Sequence, residues 1–172
     1  MLALIKLIQS VVRSLNSQGT PGQLAAGIAL GSALGLTPIF NLHNLVLFGA
    51  AMLLNVSFPG FMLGWALFIP IGFALDPVFH ALGRRLLLET PALAATWTVW
   101  FNTPVLALTN FNNTVVLGSV IVWAAAFVPL FVLLRWLIAQ YRGRVYARLQ
   151  RVRLFQVITA SKAYTVYKLF RP

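Results

Sequence analysis

Long segments without a charged residue dominate this chain and restrict its fold more than any other feature. Four segments, 23–55, 58–75, 92–111 and 114–134, contain no Asp, Glu, Lys or Arg. Only 9% of all residues are charged and the mean hydropathy is +0.87, whereas a soluble domain is about 25% charged. Because so few polar side chains could not cover a globule, the sequence predicts an all-α, polytopic membrane protein.

The positive charge is grouped beside these segments. Thirteen Lys and Arg outnumber two acids, Asp76 and Glu89, and most of the basic residues lie in 135–172. This grouping follows the positive-inside rule, so we assign it to membrane orientation and expect no nucleic-acid partner. The chain has no Cys, and no His or carboxylate cluster has ligand spacing. The sequence therefore predicts no metal, no cofactor and no enzymatic activity.

The pattern divides the chain into three parts. Residues 1–16 have the spacing of an amphipathic helix in the membrane interface. Residues 20–134 form a membrane domain, and residues 135–172 form a basic cytoplasmic tail. In the tail, one helical stripe contains three arginines that would contact anionic headgroups, Arg144, Arg148 and Arg151.

Thr-Pro pairs recur through the membrane domain in the same order, at 20–21, 37–38, 90–91 and 103–104. In each half the first pair is predicted to start a helix, and the second pair, with Pro38 or Pro104, is predicted to break one. The halves 20–76 and 90–134 would then form a two-fold internal repeat. Alternatively, the similarity between the halves arises by chance in a chain rich in Leu, Phe and Pro. Both explanations stay open.

The break at Pro38 leaves two structures open for 23–55. A helix over 23–36 is only ~21 Å long, against ~30 Å of hydrocarbon, so the segment is either one long kinked helix or a hairpin of two half-helices. The next span, 58–75, is predicted to end at Asp76-Pro77, and an interfacial helix is predicted to follow over 78–89.

Two topologies fit these segments. Four spans, 24–54, 58–75, 92–111 and 114–134, place every Lys and Arg in the cytoplasm, which the charge pattern favours. Alternatively, 23–55 and 91–112 are re-entrant hairpins from opposite sides, which leaves Arg84 and Arg85 outside. The short half-helices and the polarity of 92–111 favour this second topology. Both topologies place the two termini in the cytoplasm.

Polar residues lie near each break and are the candidate site residues. Because intramembrane polar groups usually face a cavity or a bundle interior, we predict a substrate path along Asn41, His43, Asn44, Asn102, Thr109 and Asn110. The alternative is that these side chains only satisfy the backbone groups that the breaks set free. Small residues recur every four positions before the first break, where they would allow close helix packing, at Gly27, Gly31 and Gly35.

The run Gly27-x3-Gly31-x3-Gly35-Leu-Thr-Pro38, followed by His43, resembles the bacterial membrane family called domain of unknown function 2062. Asn55, Gly64-Trp65, Phe101-Asn-Thr-Pro104 and 112–119 extend the resemblance, which covers roughly residues 20–155. The chain departs from the usual family pattern at Asn41, where Gly is common, and at Ile69-Pro70, where Asn-Pro is common. The resemblance implies a divergent branch and a bacterial inner-membrane protein, and it implies no particular activity.

Three hypotheses of function follow. The first is a multi-pass inner-membrane component that helps a lipid or another amphiphile across or out of the bilayer, within an envelope transport assembly. The second is a structural subunit that anchors an envelope complex. The third is a proton-coupled small-solute transporter that uses His43. The expected partners are membrane lipids and either another envelope protein or a second copy of the chain.

Overall fold

The described residues, 19–145 of a computed structural model, contain helices and no strands, which confirms the all-α prediction for this part of the chain. The helices are α1 Pro21–Leu36, α2 Leu42–Leu53, α3 Phe58–Leu88, α4 Ala94–Phe101, α5 Pro104–Ala107 and α6 Thr114–Gln140. A 3-10 turn at Pro91–Leu93 precedes α4, and a π-helical turn at Tyr141–Val145 follows α6. The chain divides into two compact units, 1–135 and 136–172.

Some predictions fall outside the described residues. These are the amphipathic helix at 1–16, most of the basic tail, and with it Arg148 and Arg151. Arg144 lies in the π-helical turn, where the structure describes its backbone alone. Within the described part, Phe58–Leu88 and Thr114–Gly143 are long and apolar enough to cross a membrane, as judged by length and composition.

The first helix begins and ends through local chemistry that the sequence indicates. Thr20 Oγ1 accepts a hydrogen bond from Gln23 N (3.2 Å), and Gln23 Oε1 accepts one from Thr20 N (2.8 Å), which is the predicted capping box. At the other end, Pro38 disfavours helical backbone in Thr37, which is extended (φ −105°, ψ 151°). α1 therefore ends at the predicted break.

Residues 23–55 form a helical hairpin. α2 returns beside α1, and the two ends of the segment meet: Gln23 Nε2 donates to Asn55 Oδ1 (2.7 Å). Ser57 N also donates to Gln23 O (3.0 Å) at this end. Of the two structures that the sequence leaves open here, the chain adopts the hairpin of two half-helices.

α1 is the central element, since twelve of its sixteen residues are buried. Its glycines meet the backbone of α3 in regular order, at the pairs Gly27–Ser57, Gly31–Phe61 and Gly35–Trp65. Because residue numbers rise together along both helices, α1 and α3 run parallel. A Cβ atom at any of these three glycines would overlap backbone atoms of α3, so glycine is what permits the close approach.

α6 runs antiparallel to α3. Near the end of α3, Gly83 contacts the backbone of Thr114, and one turn earlier Phe79 contacts the backbone of Gly118. Further along α6, Trp123 donates its indole N–H to Ala29 O (3.1 Å). α6 therefore passes from the far end of α3 to the side of α1.

α3 is a single helix of 31 residues, and the predicted end at Asp76-Pro77 is wrong. The helix continues through Pro70 and Pro77 to Leu88, so the predicted interfacial helix over 78–89 is part of it. A Pro inside a helix costs about 3 kcal/mol. Packing on both sides of Pro77 offsets this cost, because Gly72 lies against the backbone of α1 and Phe79 is fully buried.

The second half of the chain is built from shorter pieces. A helix begins at Thr90-Pro91 as predicted, but its first turn is 3-10 and the Thr90 side chain does not cap it. Thr90 Oγ1 donates to Arg85 O (2.9 Å), and a 3-10 turn begins at Pro91. Segment 92–111 then contains α4, of eight residues, and α5, of four. The order short helix, break, short helix, long helix thus occurs twice, while an internal repeat of the sequence stays a hypothesis.

The glycine contacts predict opposite effects for two matched substitutions. Gly31→Ala places a methyl group on the backbone of Phe61 and should destabilise the protein by about 1–3 kcal/mol, as overpacking does. Gly49→Ala, in α2, meets nothing within 4 Å and should be neutral or stabilising by up to about 1 kcal/mol. Thermal denaturation of both variants in detergent checks this. Equal melting temperatures would contradict the close packing of α1 on α3.

Candidate functional site

The two Thr-Pro breaks share the same local chemistry. Thr37 Oγ1 donates to Ala33 O (2.8 Å), and Thr103 Oγ1 donates to Val99 O (2.9 Å). In both breaks the Thr precedes Pro and is extended; Thr103 has φ −96° and ψ 112°. Each hydroxyl therefore binds a carbonyl in the last turn of the helix that the proline ends.

Asparagine side chains satisfy the backbone of the first break. Pro38 O accepts hydrogen bonds from Asn41 Nδ2 (2.6 Å) and from Asn44 Nδ2 (2.7 Å). The single hydroxyl hydrogen of Thr37 is shared between Ala33 O and Asn44 Oδ1, which lies 2.9 Å from Thr37 Oγ1. Both asparagines are buried. Since Asn44 uses both ends of its amide in this way, its observed contacts stabilise the break.

The two breaks meet in space. Asn110 Nδ2 donates to Asn41 Oδ1 (2.7 Å) and to Phe40 O (3.2 Å). A backbone bond runs alongside, from Leu42 N to Leu108 O (3.3 Å). Asn110 has φ 55°, a left-handed conformation that Asn tolerates better than most residues. We call residues 37–44 and 106–110 the junction.

A cavity of about 630 Å³, called here the junction cavity, opens beside these contacts. Its polar lining is uncharged and consists of Asn41, Asn44, Asn110 and Trp65. Among the described residues that line it, all the others are apolar, and they include Phe48. The indole N–H of Trp65 is buried and has no hydrogen-bond partner in the described part of the chain.

Two smaller cavities adjoin the junction. One, of about 380 Å³, shares Ile39 and Phe40 with the junction cavity and adds Asp76 of α3. The other, of about 300 Å³, is lined by His43 and Thr109. The Nε2 of His43 is buried without a hydrogen-bond partner among the described residues. A proton-carrying role of His43 stays a prediction.

The structure groups the six predicted path residues unequally. Asn41, Asn44 and Asn110 line the junction cavity, and His43 and Thr109 line the 300 Å³ cavity. Asn102 lies apart from them. It is the exposed C-cap residue of α4, donates from Nδ2 to Thr98 O (2.9 Å), and lines neither cavity.

Sequence reasoning missed two residues that line these cavities. Trp65 carries no local sign of its position, because its place beside the junction depends on how α3 packs on α1. Asp76 does have a local sign, because it is the charged residue that interrupts the uncharged run after residue 58. The sequence analysis treats it as the end of a helix. Among the described residues, no group of three His or acidic side chains could hold a metal ion.

Together, the helices and the junction define an all-helical protein with two candidate membrane-spanning helices. The chain belongs to the family described as "Uncharacterized protein conserved in bacteria (DUF2062)", whose sequence profile matches residues 6–146. This confirms the resemblance found in the sequence. A protein of Treponema pallidum (strain Nichols), described as an "Uncharacterized protein", is 26% identical over 155 residues, which cover 90% of this chain and 95% of the relative. No solved structure matches the chain.

A double-mutant cycle tests the contact between the breaks. Asn110→Gly removes the amide but keeps a residue that accepts positive φ, and Asn41→Ala removes the acceptor. We expect a coupling free energy of about 0.6–1.7 kcal/mol, as measured for interhelical hydrogen bonds in membranes. Unfolding of the two single variants and the double variant in mixed micelles measures it. A coupling of zero would contradict the Asn41–Asn110 bond.

A second variant at position 110 tests the contribution of the left-handed backbone conformation. Asn110→Ala removes the same amide and also places an alanine at φ 55°. Its free energy of unfolding should therefore be lower than that of Asn110→Gly by roughly 1–2 kcal/mol. It should accordingly unfold at a lower denaturant concentration.

Proposed function

We propose that this protein is an integral inner-membrane component that helps a lipid or another amphiphile across or out of the bilayer, at the junction of its two broken segments. The observation that carries the proposal is the meeting of the two breaks at a cavity with an uncharged polar lining. Three features support it in turn: the apolar surface, the directions of the helices, and the composition of the cavity.

The exposed side chains support a membrane location. Phe40 is 93% exposed, Leu53 is 89% exposed and Phe73 is 73% exposed. The central helix α1 instead buries small and polar residues such as Ser32. A soluble monomer rarely exposes a contiguous apolar patch of more than a few hundred Å². Apolar side chains outside and small residues inside are typical of helices packed in lipid.

The helix directions support a junction near the middle of the bilayer. α3 is ~46 Å long, and its midpoint is Phe73. Gly72 contacts the backbone of Gly35, next to the first break. Phe40, in the first break, lines the cavity of about 380 Å³ together with Phe73 and Asp76 of α3. The tip of the α1–α2 hairpin therefore lies beside the middle of α3.

Two hairpins from opposite sides agree with these contacts. The first begins and ends beside the start of α3, where Gln23 bonds to Asn55. The second segment, 91–113, lies beside the end of α3: Trp97 donates to Leu86 O (3.0 Å), and Thr114 contacts Gly83. Four spans would instead need residues 23 and 55 on opposite sides of the membrane. This arrangement favours the re-entrant topology, with Arg84 and Arg85 outside.

Cysteine labelling tests this topology in a chain without native Cys. Leu88→Cys and Gly143→Cys leave every orienting arginine in place. Leu88 is 74% exposed, and a Cβ at Gly143 meets nothing within 4 Å. A membrane-impermeant maleimide should label position 88 in intact spheroplasts and position 143 only after lysis. If both positions need lysis, the four-span topology is right and this proposal of two opposed hairpins is wrong.

The lining of the junction cavity supports the passage of an amphiphile. Among the described residues, one N–H of Asn41 Nδ2 and the Oδ1 of Asn110 have no hydrogen-bond partner, so these two amides can bond to a headgroup at a depth where lipid offers no partner. Beside them, Ile39, Leu45 and Leu108 are exposed apolar side chains of the same cavity. A headgroup could thus contact the amides while its acyl chains stay in lipid.

Lipid movement in proteoliposomes tests the function. Two fluorescent lipids are used, a glucosyl-diacylglycerol and a phosphatidylglycerol, and dithionite reports transfer between leaflets. The protein should accelerate the transfer of at least one. Asn41→Leu removes the amide that joins the breaks and should slow the transfer at least about fivefold. Gly49→Ala, at a residue that does not line the cavity and whose added Cβ meets nothing within 4 Å, should leave the rate unchanged.

A structural subunit is the second candidate, and the contacts of Asn44 favour it. This amide is fully used within its own break, as expected of a residue that only stabilises the backbone. If the protein moves neither lipid, alone or with a co-purified partner, and Asn41→Leu keeps that partner in stoichiometric amount, the structural role is supported and the transport proposal fails.

A further inference from the structure

Asp76 is the one Asp, Glu, Lys or Arg that lines the three cavities at the junction, among the residues that the structure describes. It is half-buried and lines the cavity of about 380 Å³ together with the first break. We call this cavity the Asp76 cavity. The ion pair found in the described part of the chain joins Arg84 to Glu89 (3.2 Å). The Asp76 carboxylate therefore has no basic side chain as its partner there.

In the topology proposed above, this carboxylate lies close to the middle of the bilayer. Asp76 is three residues, or ~4.5 Å along the helix axis, from Phe73, the midpoint of α3. A carboxylate at this depth is unfavourable unless a cation accompanies it. Since the described residues supply no such cation, a ligand is its expected source.

Two prolines leave hydrogen-bond acceptors around the same cavity. Pro38 has no N–H to donate to Leu34 O, and no other described residue donates to this carbonyl. Pro77 likewise has no N–H to donate to Phe73 O. Leu34 and Phe73 line the cavity with Asp76. The end of α1, which also lines it, carries the negative end of the helix dipole, so the electrostatic potential there favours a positive group.

Two backbone N–H groups add the complementary chemistry. Ile39 N and Phe40 N lie between α1 and α2 and donate no hydrogen bond to the described residues. Both residues are exposed and line the Asp76 cavity as well as the junction cavity. Backbone N–H groups form strong hydrogen bonds to anionic oxygens. A carboxylate beside free N–H groups is complementary to a headgroup that carries both a cation and an anion.

The walls of the Asp76 cavity suit an amphiphile better than an inorganic ion. No group of three His or acidic side chains within the described range could hold a metal ion. Phe40 and Phe73 line the cavity and are largely exposed, so in the proposed location they would contact lipid. The cation is therefore expected on a molecule with acyl chains.

We propose that the Asp76 cavity binds the headgroup of an aminophospholipid, with the ammonium group at the Asp76 carboxylate. This assignment rests on the function proposed above and names its preferred substrate class. An ammonium group has three N–H donors and no acceptor, which matches a carboxylate and freed carbonyl groups. The phosphate oxygens match the N–H groups of Ile39 and Phe40. Lipids without an ammonium group are moved more slowly, because Asp76 attracts nothing in their headgroups.

Binding of two dioleoyl lipids to the purified full-length protein, followed by native mass spectrometry, tests the assignment. The lipids are dioleoylphosphatidylethanolamine and its N-acetyl derivative, which keeps the phosphate and the acyl chains but has no ammonium group. We expect the first to bind at least about fivefold more tightly, because the acetylated lipid offers no cation to Asp76. Equal binding of the two lipids by the wild type would overturn the assignment.

Three variants test the role of the carboxylate. Asp76→Asn removes the charge and nearly keeps the shape, and should reduce the preference to about twofold or less. Asp76→Glu keeps the carboxylate and should keep most of the preference. Glu89→Gln is the matched control, since Glu89 is the C-cap residue of α3 and lines none of the three cavities. It should bind both lipids as the wild type does.

Melting temperatures in detergent show whether each variant is folded. A folded Asp76→Asn variant that retains the full preference would overturn the assignment. If that variant does not fold, the comparison of the two lipids in the wild type still decides.

Sodium chloride tests an inorganic cation as the ligand. If sodium chloride at constant ionic strength raises the melting temperature of the wild type but not that of Asp76→Asn, and the two lipids bind equally, Asp76 holds an inorganic cation. The headgroup assignment is then wrong.

Lipid movement distinguishes this inference from the function on which it rests. In the dithionite assay, phosphatidylethanolamine labelled on an acyl chain should be transferred at least about fivefold faster than phosphatidylglycerol labelled in the same way. Equal rates for the two lipids would mean that the headgroup assignment is wrong and that the transport function stands. Preferential binding through Asp76 without movement of any lipid would mean that the transport function is wrong and that the binding site stands.

Discussion

The close contact between the glycine face of α1 and the backbone of α3 is the interaction on which the rest of the structure depends. In the proposed membrane location, lipid offers no hydrophobic drive for helices to associate, so van der Waals packing and hydrogen bonds would supply it. Without side chains at Gly27, Gly31 and Gly35, the two backbones approach over the whole length of α1. This contact places α1 inside the molecule and sets the first break beside the middle of α3.

The junction follows from that placement. Once α1 ends at Pro38, the freed carbonyl of the break needs donors, and Asn41 and Asn44 supply them. Asn110 then joins the second segment to the first through Asn41. The same side chains that stabilise the breaks also line the cavity. For this reason the structural and the transport interpretations share residues and must be separated by measuring lipid movement.

The sequence predicts helix starts and ends well where contacts between neighbouring residues determine them. The capping box of Thr20 and the end of α1 before Pro38 involve neighbours in the chain, and both are confirmed. The sequence predicts poorly where distant packing decides. Pro77 was expected to end a helix, yet contacts of residues on either side of it keep α3 continuous. Thr90 likewise resembles Thr20 in sequence but bonds back to α3 and caps nothing.

The same distinction between local pattern and distant packing applies to the residues of the candidate site. The polar residues after each Thr-Pro pair are recognisable because uncharged apolar segments rarely contain them, and five of the six predicted path residues line the junction cavity or the cavity beside His43. Asn102, which directly precedes Thr103-Pro104, also interrupts an apolar segment but lies at the C-cap of α4 and lines neither cavity. Trp65 and Asp76 line the cavities because helix packing brings them there, which neither residue's sequence neighbours predict.

By itself, the sequence determined that this protein is helical, where its first segment breaks, and to which family it belongs. These properties follow from composition and from residues adjacent in the chain. Only the tertiary structure decided that 23–55 is a hairpin and that the two breaks touch. Those properties depend on the directions of helices that are distant in sequence, which packing between backbones establishes and local residue patterns do not encode.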